Sequence, residues 1–298
     1  MPLYKNTLST LVQRTCRVHL RDWLAGSATS SSTATTTLAD ATNRNEKDDY
    51  FNNLPQAEIY IYETTDGAAP IGERRDISDF ANTGGIITVS DAFSALITSG
   101  DKYSIHTDYP RADIVSAINS AVDDAAQLSL VEASDTSLVL VAGVNQYIIP
   151  EDFIYIYRIT MADANGDFYG DPIPADQYNI VRALPQPRIH FRYQPVELQS
   201  SGHYYGANWV NGEFSTGRSL LIEGYKKQAT LVNDTDYCYI SPTYVCAQAA
   251  AYLHAVRIER NDVDTDVHAT QYSVQQKMAD SAKGLDLTRI PPGSKRVY

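Results

Sequence analysis

Between Asn6 and Leu24 the apolar residues fall at Leu8, Leu11, Val12, Cys16, Leu20, Trp23 and Leu24. Offsets of three and four put them on one stripe of a helix, with Gly26 as its stop. The low-complexity stretch SATSSSTATTTLADATNRN follows and reads as a flexible linker or an exposed β-edge. Short alternating runs then succeed one another: AEIYIYET, ERRDISDF, IITVS and KYSIHT, separated by Asp66-Gly67 and Thr83-Gly84-Gly85. They predict a small antiparallel barrel or sandwich. After Pro110 the period returns to that of a helix, with Ile114, Ala117, Ile118, Ala121, Val122 and Ala125 on one face and Asp113 in the first turn.

From Ser134 to Ile240 the pattern is strand-like again, in SLVLVAG, QYIIP, FIYIYRITMA, QYNIVRA, RIHFRYQ and SLLIEGYKK. Asn165-Gly166 marks a tight hairpin, because both central positions of such a turn need positive φ. Ser241-Pro242 opens a helix with Val245, Ala249, Tyr252, Leu253 and Val256 on one face, and a more polar helix starts at Asp264 or Thr265 and runs to Gly284. The tail from Leu285 contains Pro291-Pro292 and no period, so it is an extended arm or disordered.

The chain thus divides into an N-terminal helix (1–25), a β-rich insertion (26–108), a second helix (109–128), a β-rich region (129–240), two C-terminal helices (241–284) and the arm (285–298). The fold class is α+β: a bundle of about four helices with antiparallel β-rich insertions and an extended C-terminal arm. The bundle core is expected to contain Leu8, Leu11, Val12, Ile114, Ile118, Val122, Val245 and Leu253.

Charge changes this picture in one respect. The chain holds 36 acids against 24 bases, a formal net charge of −12, which argues against a surface built to grip nucleic acid. Yet both ends are basic, with Lys5, Arg14, Arg17 and Arg21 at one and Lys283, Arg289, Lys295 and Arg296 at the other. Such ends can dock on acidic partners. No segment approaches the roughly 20 apolar residues of a membrane span, so a soluble intracellular product is expected. Cys16, Cys238 and Cys246 read as reduced, buried thiols, since neither their number nor their spacing makes a disulfide framework or a zinc site.

Candidate chemistry is sparse. His19, His106, His190, His203, His254 and His268 include no pair at the helical spacing of a zinc site. Asp163-x-Asn165-x-Asp167 alternates oxygens like a calcium loop, but its glycine stands at 166 and Pro174 occupies the place of the bidentate glutamate. Asp262-x-Asp264-x-Asp266 likewise has Ser273 where that glutamate belongs, and reads as an interhelical loop with a cap. No phosphate-cradling glycine loop or nucleophile elbow is present. The reading is therefore of a non-enzyme without catalytic residues, metal or cofactor. Tyr204, Tyr205, Trp209 and Phe214 could stack on sugar rings but are read first as interface aromatics, because tyrosine is favoured where subunits meet.

The run SGDKYSIHTDYPRADIVSAINSAV resembles the head-to-tail adaptor family of tailed bacteriophages, in which a strand leads into an aromatic-x-x-x-x-(I/V)-x-x-A-(I/V)-N helix. The matching residues are Tyr109, Ile114, Ala117, Ile118 and Asn119. Three later features are similar: the Tyr147-Ile148-Ile149-Pro150 element, the RIHFRY strand and the alanine-rich YVCAQAAAYLHAV helix. In the simplest members the first two helices are joined by a short connection, where this chain carries the 26–108 insertion.

The resemblance implies a structural virion protein at the head–tail junction, made in the host cytoplasm. It would form a ring of about twelve copies below the portal protein, its helices lining or bracing the DNA passage. Its arm, with Leu285, Leu287, Arg289, Ile290, Pro291, Pro292, Lys295, Arg296 and Tyr298, would run up along the portal. A tail nozzle, tail tube or tail terminator would sit below, and tail fibres are a candidate partner of the insertion. Genomic DNA would pass without specific binding. The alternative from another class is a tail adhesin or carbohydrate-binding tail component, with a glycan hydrolase in such an adhesin third.

Overall fold

A computed structural model describes residues 4–42, 44, 46–54, 56–126, 129–149, 152–163, 165–182, 186–192, 195–196, 214–215, 217–259, 264–283 and 293–297. Among the described residues the fold is mixed, with four α-helices and several mostly antiparallel sheets. In chain order, β1 (Asn6–Thr7) leads into α1 (Leu8–Arg14), which continues as a π-helical segment, Thr15–Leu20. Six strands follow, β2 (Leu24–Ser27), β3 (Thr37–Ala39), β4 (Glu58–Glu63), β5 (Arg74–Ala81), β6 (Ile86–Val89) and β7 (Lys102–His106), and then α2 (Arg111–Ala125). Next come β8 (Val131–Asp135), β9 (Gln146–Ile148), β10 (Phe153–Met161), β11 (Tyr178–Val181), β12 (Arg188–Phe191), β13 (Pro195–Val196), β14 (Phe214–Ser215) and β15 (Leu220–Lys226). The chain closes with β16 (Tyr237–Cys238), α3 (Pro242–Glu259), α4 (Thr265–Lys283) and β17 (Lys295–Arg296). The described residues fall in two compact units, one within Tyr4–Ala125 and Thr230–Leu285, the other within Ala126–Ala229 and Asp286–Tyr298.

In the first unit α1, α2, α3 and α4 share one core. Leu8, Leu11, Val12, Ile114, Ile118, Val122, Val245 and Leu253 all lie in it, with Cys16, Cys238 and Cys246 buried as free thiols. The N-terminal helix is shorter than its apolar stripe suggests. It ends at Leu20, Arg21 turns left-handed at φ 59°, and Trp23 and Leu24 lie beyond it. Gly26 is not a helix stop but a strand residue. A Cβ there would stand 2.3 Å from Asp40 Oδ2 and 2.5 Å from the Tyr103 hydroxyl, so only glycine lets this polar pair close under β2.

α3 also departs from its single-face reading. Every residue from Tyr244 to Ala251 is buried, because small alanines let neighbouring elements approach it from all sides, and Val256 on its expected apolar face is exposed.

The same unit holds a six-stranded sheet in the order β2-β7-β4-β5-β6-β3. The chain just past β2 bridges back to β3 at Ser30 and Ala39, which curls the sheet towards closure. Leu38, Phe51, Ile59, Ile61, Phe80 and Tyr103 fill its interior. The Ser/Thr-rich stretch supplies β3 and so forms part of this sheet.

The second unit combines a four-stranded sheet, β17-β10-β15-β8, with a three-stranded one, β11-β12-β9, over a core that includes Phe153, Ile156, Ile159, Phe191, Leu220 and Val297. Here too the strand reading needs correction. Residues 137–143 form no continuous strand: they meet the chain before β15 at one bridge, Val139 to Ser219, with backbone bonds from Leu140 N to Arg218 O, Leu220 N to Leu138 O and Gly217 N to Leu140 O, while the polar run Val131–Asp135 is a full strand because β15 offers it an edge. The turn at Asn165-Gly166 exists, with Gly166 at φ 90° and Asp163 Oδ1 accepting from the amides of Asn165 and Asp167. It does not make a hairpin, since β10 pairs with β15 and β17, and β11 pairs with β12.

Candidate functional site

Three polar junctions organise the unit that holds the helices. The left-handed turn at Arg21 delivers Asp22 into the corner between β7 and α2. There its carboxylate accepts from Thr107 N and Oγ1, both at 2.9 Å, from Asp108 N at 3.0 Å and from Tyr109 N at 2.9 Å. A carboxylate receiving three backbone amides while buried fixes the path of the chain into α2.

The second junction centres on Arg111 at the start of α2. Its guanidinium pairs with Asp234 and lies over the Tyr60 ring at 3.9 Å, and the Tyr60 hydroxyl also donates to Asp234. The Arg111 backbone amide donates to Glu58, which Arg74 approaches at 3.4 Å. Burial raises the Glu58 pKa, opposed by that amide and by Arg74. One strand, one helix start and the loop between β15 and β16 are thereby locked by charge-assisted bonds.

The third is a cleft of about 520 Å³ whose lining includes His19, Tyr109, His254, Arg257, Asp264 and His268. His254 Nδ1 stands 3.1 Å from His268 Nδ1 and 3.2 Å from the Tyr109 hydroxyl. Burial, and then the proximity of His268, pushes the His254 pKa down to about 4. The histidines are 14 residues apart, so no helical spacing announced them; packing of α4 on α3 brings them together. Among the described residues no group of three or more His, Cys, Asp and Glu side chains could hold a metal ion, and no helix is long and apolar enough to cross a membrane.

Asn119, part of the helix motif singled out in the sequence, has a defined structural task. Its side-chain amide donates to Leu231 O and accepts from Leu231 N, both at 2.9 Å, clamping an extended segment against α2.

Of the arm residues, Leu285, Leu287, Arg289, Ile290, Pro291, Pro292 and Tyr298 lie outside the described residues. Lys295 and Arg296 are described and are not disordered. They pair with Ile156 and Tyr155 of β10, Val297 N donates to Ile154 O at 2.7 Å, and the Val297 side chain is fully buried. The end of the chain gains order from an open sheet edge that its own sequence does not reveal. Tyr204, Tyr205 and Trp209 also lie outside the described residues, and Phe214 is placed only as backbone in β14, which pairs with β13.

A comparison with curated proteins finds no match for this chain. The family model of the SU10 adaptor protein matches residues 86–295, from β6 through both C-terminal helices to β17. That span contains all the motifs that resemble the phage head-to-tail adaptors, and over so much of its length the chain belongs to the SU10 adaptor protein family.

Proposed function

We propose that this protein is a head-to-tail adaptor of a tailed bacteriophage that forms a closed ring below the portal, joins the head to the tail and encloses the path of the genome. The observation that carries this reading is the family match over residues 86–295. Physical support comes from α4, which buries only Gln275, Ala279 and Ala282. On it Val267, Val274 and Met278 are 56%, 46% and 40% exposed. Their spacing of seven and four aligns them in one stripe, which a neighbouring subunit would cover in a ring built from heterologous contacts.

The acidic balance of the chain suits a conduit, because a wall of the same sign as the phosphates gives no counterion release to hold the DNA. In this reading the 285–298 arm docks on the portal, and the 26–108 insertion meets other tail parts.

Images of the purified protein with portal-bearing heads test the proposal. A ring of about a dozen copies at the portal vertex is expected, and Met278→Asp should prevent the ring without unfolding the subunit. A peripheral trimer, or subunits that never join the portal vertex, would reject it. Tight, salt-sensitive binding of duplex DNA by the unmodified protein would overturn the conduit part alone.

A further inference from the structure

We infer that the cleft beside the π-helical segment is an oxyanion site that receives a carboxylate from an acidic peptide segment of a partner protein. The cleft, about 480 Å³, is lined by Arg17, Arg21, Trp23, Leu24, Ala25 and Arg44. Three guanidinium groups in one concavity are unusual for a chain of net charge −12. Their pairing makes the point sharper. Among the described residues neither Arg17 nor Arg21 has an acidic partner, and Arg17 lies over the Trp23 ring at 5.9 Å.

Arg44 is only 6% exposed and is fixed from behind, donating to Ala25 O at 3.2 Å and pairing with Glu46 at 3.2 Å. Its Nε and the Trp23 indole nitrogen are both buried donors with no acceptor. Buried donors left without acceptors are costly, and both belong to residues of the cleft wall, so a small shift of that wall to admit an oxygen would relieve the cost. Two exposed arginines can grip a carboxylate from the solvent side by their paired N–H groups, while the indole wall packs its methylene stem.

Size and charge select this occupant over nucleic acid. Duplex binding needs cations spread along many phosphates, whereas here Arg17 and Arg21, with Arg44 already paired to Glu46 behind them, line one cleft of about 480 Å³ in an otherwise acidic body. The site stands independently of the ring reading, since it is tested on the isolated full-length chain.

The test uses Trp23 as reporter in a Trp209→Phe background. A short peptide of alternating Asp and Glu, its Asn/Gln counterpart, inorganic phosphate and a short DNA duplex are titrated in turn. The acidic peptide should change Trp23 emission in a salt-sensitive manner and the amide peptide should not. Arg17→Ala and Arg21→Ala should each weaken the peptide roughly tenfold, with the circular dichroism spectrum unchanged because both side chains are exposed. Equal binding of the amide peptide, or indifference to both substitutions, would overturn the proposal. So would the absence of any response, and so would phosphate or duplex binding at least as tightly as the acidic peptide.

Discussion

Replacing Asp22 by alanine removes a single acceptor that serves four donors. Three of these are the backbone amides of Thr107, Asp108 and Tyr109, at 2.9–3.0 Å, and the fourth is the Thr107 hydroxyl. Asp22 is only 4% exposed, so the stranded amides find little water. A buried donor without an acceptor costs about 1–3 kcal/mol, and partial hydration of the new hole lowers the sum, which gives a loss of about 3–5 kcal/mol. For a unit of this size that corresponds to a fall in melting temperature of roughly 6–20 °C.

Asp22→Asn is the sharper comparison. Its remaining oxygen can still serve Thr107, but its NH₂ then faces the Asp108 and Tyr109 amides, so about half of the loss is expected, roughly 2 kcal/mol. Urea and thermal unfolding followed by Trp23 fluorescence in the Trp209→Phe background report on the unit that contains Asp22. A loss below about 1 kcal/mol for the alanine variant would refute the claim that this carboxylate holds the approach to α2.

Three further outcomes follow from the same structure. His254 and His106 are both pushed down to about 4, chiefly by burial, from 6.5, so the folded chain binds fewer protons than the unfolded one between these values. Stability should be whole above about pH 6.5 and fall as the pH drops towards 4, more gently in His254→Gln, and a melting temperature that stays flat from about pH 7 to 4.5 would contradict this. Asn119→Ala should cost about 1–3 kcal/mol in urea unfolding by releasing both bonds to Leu231, while Asn119→Asp, which keeps the acceptor for Leu231 N, should cost less. Val297→Ala should destabilise the β-rich unit by about 1–2 kcal/mol in thermal unfolding, and no change would mean that the buried Val297 side chain adds nothing to that core.

What the sequence by itself determined is the class of the four helices and the core positions Leu8, Leu11, Val12, Ile114, Ile118, Val122, Val245 and Leu253. Helical offsets at Ile114, Ile118 and Val122 place α2 on its core, and the alternation of AEIYIYET and KYSIHT places β4 and β7. These signals are local, because the periods of helix and strand are set by backbone geometry within a few residues. The recognisable adaptor motifs were legible for the same reason.

Only the tertiary structure decided the rest. The polar run Val131–Asp135 became a strand because β15 offered it an edge, and Lys295–Arg296 joined β10 for a similar reason, although neither has a strand's apolar pattern. Gly26 looks like a helix stop until Asp40 and Tyr103 arrive beneath it from distant positions. The same holds for the polar sites: Asp22 meets Thr107–Tyr109, His254 meets His268, and Arg44 meets Arg17 and Arg21 only after the chain has folded. No periodicity encodes such encounters, since hydrogen bonds and charge clusters depend on which surfaces the apolar cores bring together.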